Sequence, residues 1–228
     1  MRLAALLTTL CLATVCNAAD SPVIRSAKSG PWSDPATWSE NKVPGTGARV
    51  LIRESHQVDY DVKSDAVIRG LNIAGALSFS TEKDTVLNVG LIKIQPGEEY
   101  SEDGFDCDGH AITGDSTKPK PALEVGTFDQ PITVGKTALI RLHYVEGMNK
   151  ETCPAIVCCG GAMDFHGQPL NRSWVKLGSS AKAGDNWVTL AEPNTGWKVG
   201  DRIIVTATQT HGPAKTESRT EERIVASI

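Results

Sequence analysis

The 228-residue sequence is short of several things that would mark a function at once. It has no basic surplus: 23 Lys+Arg stand against 27 Asp+Glu, a net charge of −4. A chain without a cationic excess lacks the electrostatic footprint for nucleic acid phosphates. Beyond the first residues there is no long apolar run, which excludes a multi-spanning membrane protein. Aromatic residues make up only 5%. No phosphate-cradling glycine loop, nucleophile elbow or paired C-x-x-C is present, so the usual signatures of nucleotide binding, serine hydrolysis and zinc ribbons are missing. No sustained 3.6-residue apolar stripe follows the N-terminal run, so helices are not expected. The 40% hydrophobic share is that of an ordinary folded chain and excludes wholesale disorder.

What is there begins with an address. Met1-Arg2 is a short basic start, Leu3 to Val15 is apolar and uncharged, and Cys16-Asn17-Ala18 supplies the small residues a signal peptidase reads. The pattern predicts a signal peptide over 1–18, cleaved before Ala19. Its apolar run falls short of the ~20 residues of a membrane helix. A secreted, extracellular chain with no membrane span after cleavage is the expectation. Export removes Arg2 from the 23 basic residues, leaving 22 against 27 acidic ones, a net of −5. It also leaves four cysteines, Cys107, Cys153, Cys158 and Cys159. In an oxidising compartment these are disulfide candidates, and the sequence does not choose among the three full pairings. Adjacent Cys158 and Cys159 rarely bond each other, so Cys107 or Cys153 is expected to take one of them. Buried free thiols are the alternative.

From Arg49 onward, short alternating segments recur between Gly, Pro, Asn and Asp. Leu71, Ile73, Leu77 and Phe79 fall on one face. So do Leu87, Val89 and Leu91, before a step to Ile92 and Ile94. Ala138, Ile140, Leu142 and Tyr144 alternate with Arg141 and His143, and Ile203 with Val205 and Ile224 with Ala226 and Ile228 continue the pattern. Period-two alternation in runs this short predicts half-buried strands and an all-β fold. Glycines at strand ends and corners, and a strand-like last segment with no closing element, lean toward stacked rungs over a sandwich or barrel.

Five segments in order then become familiar. They are Ser29-Gly30-Pro31-Trp32-Ser33-Asp34-Pro35-Ala36-Thr37-Trp38, Val43-Pro44-Gly45-Thr46-Gly47, Leu71 to Phe79, Leu123-Glu124-Val125-Gly126-Thr127, and Gly160-Gly161-Ala162-Met163-Asp164-Phe165-His166-Gly167. Together they resemble the eight-glycine (G8) domain family of secreted and cell-surface proteins, over residues 26–167. Trp174-Val175-Lys176-Leu177 and Trp197-Lys198-Val199-Gly200-Asp201-Arg202 are similar to the β-helix that follows this domain. The resemblance implies a right-handed parallel β-helix or β-solenoid-like architecture with an N-terminal G8 β-domain, residues 168–228 being the first rungs of an incomplete β-helix. The missing rungs or another chain would then be partners at the C-terminal edge. Members of the family pass almost directly from a turn like Pro96-Gly97 to the strand at Leu123; here an acidic insert at about 98–121 intervenes.

Within the insert, Asp103, Asp106, Asp108 and Asp115 are candidate calcium ligands, since Ca²⁺ wants several oxygens from a tight turn. The EF-hand frame fails, because Gly104 falls where the first ligand must be. The plainer reading is a solvated acidic loop pinned through Cys107. No other cofactor is implied. The five tryptophans invite a carbohydrate reading, although Trp more often ends up inside. Trp32 and Trp38 are expected as core or rim anchors, Trp174 and Trp197 as rung-stacking residues, and Trp187 is left as the candidate sugar platform. Arg141 and His143 on one outer strand face are the other candidate ligand residues. Asn171-Arg172-Ser173 is an N-glycan sequon, making Asn171 a glycosylation candidate. Nothing brings two carboxyls together for glycoside cleavage, so no catalytic residue is assigned. The expectation is a secreted, non-catalytic module for extracellular binding, with a hyaluronan-like polysaccharide as ligand on the resemblance alone. The alternatives are the N-terminal part of a polysaccharide-degrading β-helix enzyme, or a structural solenoid cap.

Overall fold

A computed structural model of the chain describes residues 22–104, 117, 119–193, 196–206 and 220–228. Among the described residues the regular structure is almost all strand, apart from a 3-10 turn at Pro35–Thr37 whose N-terminus is capped by the Asp34 side chain. The chain divides into two compact units, Met1–Gly167 and Gln168–Ile228.

The first unit holds two sheets. One contains β1 (Val23–Arg25), β3 (Arg49–Ile52), β5 (Lys63–Ile73), β7 (Thr85–Ile94), β9 (Ala138–Leu142) and β10 (Ala155–Cys158). The other contains β2 (Gly30–Pro31), β4 (Gln57–Tyr60), β6 (Ala76–Phe79), β8 (Ala122–Val125) and β11 (Ala162–Phe165). Chain order alternates between the sheets as far as β9, and each strand pairs in parallel with the one before it in its own sheet, except that β9 and β10 follow one another in the first sheet and both pair β7. The expected all-β class is therefore correct, and the sheets are parallel. Parallel register puts like residues in rows about 4.8 Å apart. Val50, Leu71, Ile92 and Ile156 form one row, and Ile52, Ile73, Ile94 and Cys158 the next. Val58, Leu77, Leu123 and Met163 form a third, in the other sheet. These rows supply nearly half of the buried apolar core.

One expectation about facing needs correction. Leu87 and Val89 enter the main core, but Leu91 turns to the opposite side, joining Met148, Cys153, Val157 and Cys159. The inward parity switches at Gly90, where a Cβ would meet the Arg69 carbonyl oxygen at 2.5 Å and the Met148 Sδ at 2.7 Å. Strand β7 thus works as two strands. Its first half pairs β9, and its second half pairs β10.

The core's two ends are unlike. Beside β1 and β2, Trp32 and Trp38 meet edge to face with centroids 4.8 Å apart, and Trp32 meets Tyr60 at 5.1 Å. Both indoles are buried, and Trp38 Nε1 donates to the Trp32 carbonyl at 2.9 Å. Burying a Trp polar tip requires such a partner. At the β10–β11 end the rows run out. Met163 is 46% and Phe165 52% exposed, although each continues a buried row, and Cys158 is exposed as well.

In the second unit, β12 (Arg202–Val205) pairs antiparallel with β13 (Glu221–Ile224), and Leu177 forms an antiparallel bridge with Leu190. None of its described residues is buried. Trp174 is exposed rather than stacked, while Trp197 Nε1 donates to the Arg172 carbonyl at 3.2 Å.

Candidate functional site

The densest polar arrangement lies on the outer face of the first sheet. Strand alternation sends Arg49, Asn72 and Lys93 out of the core, and the parity switch turns Arg69 out beside them. Arg69 is 4% and Lys93 3% exposed, unusual burial for these residue types. What covers them is the start of the acidic insert, Glu98 to Gly104.

Glu102 is the centre of this cover. Its carboxylate accepts from Arg49 Nε at 2.8 Å, from Arg69 Nε at 3.0 Å and from the Tyr100 hydroxyl at 3.2 Å. Arg69 also reaches it with a second nitrogen at 2.8 Å and donates to the Glu146 carbonyl at 2.9 Å. Burial works to raise the Glu102 pKa, but the hydrogen bond and charge of Arg69, with help from Arg49 and Tyr100, hold the carboxyl below its ordinary value. The Arg69 guanidinium is held further toward its charged form by the Glu102 hydrogen bond, against burial. Burial, followed by the Glu102 charge, pushes the Tyr100 hydroxyl far above the usual phenol range.

Tyr100 fits because Gly70 has no side chain: a Cβ there would lie 2.2 Å from its hydroxyl oxygen. Its ring also lies under the Arg49 guanidinium, 5.9 Å from the centroid. Lys93 Nζ donates to the Ser101 hydroxyl at 2.7 Å. With its amide turned to match, Asn72 donates to the Ser101 carbonyl at 3.2 Å and accepts from the Ser101 N–H at 2.9 Å. At the rim, Arg53 pairs with Glu98 at 3.5 Å, and Gly104 is pressed against Thr152. Residues 98–104 are therefore a strap bound to the sheet, not the solvated loop expected for the insert.

This cluster was missed in the sequence, yet it left a signal. Lys93 interrupts the apolar run Leu91-Ile92-Ile94, and Arg69 interrupts Val67-Ile68-Gly70-Leu71. A lone charge inside a buried strand needs a partner from elsewhere.

The residues singled out from sequence are scattered. Arg141 is exposed, and the His143 ring is tied to Asn88 Oδ1 at 2.8 Å, a tether that explains its orientation. Trp187 is 69% exposed but belongs to the second unit, so the three candidate ligand residues are not drawn from one body. Asp103 is exposed; Asp106, Asp108, Asp115 and Cys107 lie outside the described residues. No group of three metal-binding side chains occurs among the described residues. Asn171 is exposed, as a glycan acceptor must be. Two disulfide candidates are corrected: Cys153 and Cys158 are free thiols. Cys153 is buried among Leu91, Met148 and Val157; Cys158 continues the inward row of Ile94 but is exposed at the open end, and its neighbour Cys159 turns to the opposite side with Leu91. No helix among the described residues is long and apolar enough to cross a membrane.

A parallel all-β module with a strapped outer face and one open core end is the class these observations define. Residues 37–178 match the G8 domain family, and the chain belongs to it. It is 24% identical over 225 residues to Fibrocystin of Canis lupus familiaris, covering 90% of this chain and 5% of that protein. Fibrocystin-L of Homo sapiens is 26% identical over 200 residues, covering 86% of this chain and 4% of that one. Protein rliB of Dictyostelium discoideum is 22% identical over 182 residues, covering 78% and 14%. The chain thus spans a small fraction of the length of the relatives it matches. No solved structure matches it.

Proposed function

We propose that this chain is a secreted, non-catalytic G8 module that caps the start of a right-handed parallel β-solenoid in a larger extracellular protein. The single observation that carries the reading is the asymmetry of the core. One end is sealed by Trp32 and Trp38, while the other exposes Met163, Phe165 and Cys158 in rows whose earlier members are buried. Stacked-repeat architectures require a sealed terminal unit, and they bury each unit's face with the next. Residues 168–228 would begin the β-helix. Secretion rests on the signal pattern at 1–18, and an N-terminus at Ala19 on the exported protein is the result to expect.

The test is a pair of substitutions at the open end. Met163→Asp with Phe165→Asp should leave thermal stability nearly unchanged and reduce binding of an apolar dye such as ANS. A loss of stability as large as that from core substitutions would mean the end is already covered, and would overturn the cap reading.

Polysaccharide binding, hyaluronan-like by family resemblance, is the second reading, favoured by the exposed Trp187 indole. A net charge of −5 after cleavage opposes a polyanionic ligand. Retention on immobilised hyaluronan that is lost in Trp187→Ala would support it. Membership of a larger polysaccharide-degrading enzyme would require catalytic groups outside this chain. Calcium binding by the Asp103 to Asp115 region is testable by calorimetry, where heat on Ca²⁺ addition is the expected sign. A Cys107–Cys159 disulfide is also proposed: Cys159 is disulfide-bonded, Cys153 and Cys158 are free, and Cys107 is the remaining cysteine of the exported chain. Peptide mapping without reduction reads that pairing directly.

A further inference from the structure

We propose that the outer face of β3, β5 and β7 is a binding site for acidic peptide segments, and that the chain's own strap occupies it in cis. The site is the groove floored by Arg49, Gly70, Asn72 and Lys93, with Arg69 at its corner. Its chemistry is legible from the occupant already in place. A carboxylate is held between two guanidiniums, at 2.8 Å from Arg49 and 2.8 Å from Arg69. Two residues earlier, a phenol fills the gap left by Gly70 under the Arg49 cation. Between them, Ser101 uses its backbone on the Asn72 amide and its hydroxyl on Lys93. The recognised pattern is therefore aromatic, small hydroxyl, carboxylate, in an extended chain.

Two features separate this face from a plain structural contact. The first is a match of charge: Glu98, Glu99, Glu102 and Asp103 crowd into six residues, and they lie over a face carrying Arg49, Arg53, Arg69 and Lys93. The second is Lys93 itself. Its buried ammonium has a hydroxyl as partner and forms no ion pair among the described residues. Long charged side chains are seldom buried without a countercharge. A partner segment with an acidic residue at the Ser101 position would supply one. Arginine forks suit carboxylates in a fixed geometry, which makes the face selective for a peptide acid rather than for any anion.

A tethered occupant competes at the millimolar effective concentration typical of short links, so a free peptide binds the intact chain weakly. Loosening the strap should reveal the site. The probe is a fluorescent peptide copying residues 98–104, Glu-Glu-Tyr-Ser-Glu-Asp-Gly, titrated by anisotropy against the full chain. Glu102→Gln should bind it at least tenfold more tightly than the unaltered chain. Changing the peptide's Glu-Asp pair to Gln-Asp, so that the Glu after Ser is lost, should abolish the gain. So should adding Arg69→Met to the variant. Tyr100→Ala, which frees the Gly70 gap and removes the hydroxyl from Glu102 while leaving both arginines in place, provides a second route and should raise affinity in the same direction.

Equal binding to the unaltered chain and to both variants would overturn the proposal, as would no binding to any of them. So would binding of sulfated polysaccharide in place of the peptide. Hydrogen exchange on the unaltered chain reads the same question without a variant. Amides of 98–104 should exchange well before those of β5 and β7; exchange only with global unfolding would make the strap a fixed part of the fold and sink the idea.

Discussion

The two ends of the parallel core are built from the same kinds of row and finish in opposite ways. At the β1–β2 end the rows meet Trp32 and Trp38; the Trp32 ring packs on Tyr60, and Tyr60 in turn meets Phe79 with centroids 4.9 Å apart. Short edge strands with Pro31 in the outermost one leave little unpaired backbone there. Short edges and edge prolines are the usual means of blocking further pairing. At the β10–β11 end the strands are four residues each, and the inward side chains of Cys158, Met163 and Phe165 are exposed. The difference shows that burial in this fold is set by what stacks on a strand, not by the strand's own composition. Phe165 follows the same alternation as Phe79, yet one is half in water and the other is core.

The sharpest way to break the comparison is to open the sealed end. Trp38→Ala should cost about 3–5 kcal/mol, the usual loss for a large buried aromatic, measured by denaturant unfolding. A loss under about 1 kcal/mol would mean the indoles merely decorate an end that is sealed some other way. Next comes the strapped face. Arg69→Met leaves Glu102 with a poorer partner in a mostly buried place and should cost about 3 kcal/mol.

The same variant has a pH signature. The Glu102 pKa is lower in the folded chain than its ordinary 4.5, so its contribution is present above that value and is lost as the pH falls through the folded pKa. Arg69→Met should flatten that acid limb in melts recorded below neutral pH. A limb of unchanged slope would place the acid sensitivity on other carboxylates, such as Asp61, which Ser33 and Lys83 hold low against its burial.

A smaller effect is expected at the open end. Phe165→Ala should cost at most about 1.5 kcal/mol, because half of the ring never left water. A value near that of Trp38→Ala would erase the distinction between the ends. The smallest change concerns Asp59, whose pKa is raised by partial burial and by the charges of Asp61 and Glu124. Its ionised form works against the fold at neutral pH, and the penalty vanishes once both states are protonated. Asp59→Asn should therefore raise the melting temperature slightly at pH 7, with no gain near about pH 3.

Much of the strand pattern was legible, because alternation is a local property. Leu71 with Ile73, Leu77 with Phe79, and Ile203 with Val205 each lie on one face as their spacing implied. Leu91 did not, because the switch at Gly90 depends on Arg69 and Met148, which are distant along the chain. The opposite facing of Cys158 and Cys159 could have been read from their adjacency; that Cys158 is exposed, although it continues the row of Ile94, could not. The arginine clamp was not legible, since nothing local says that Glu102 reaches Arg49, 53 residues earlier in the chain.

The shortages at the outset still hold, and they bound this protein from outside: no cationic surplus, few aromatics, and no apolar stripe of helical period. Composition, alternation and the glycine-bearing motifs by themselves determined an all-β chain of the G8 family, since strand period and turn chemistry act over a few residues. Only the tertiary structure decided which alternating face is core, that the first acids of the insert bind the sheet, and that one end is sealed while the other is open. Those outcomes depend on residues brought together across tens of positions, and parallel register, not local preference, brings them there.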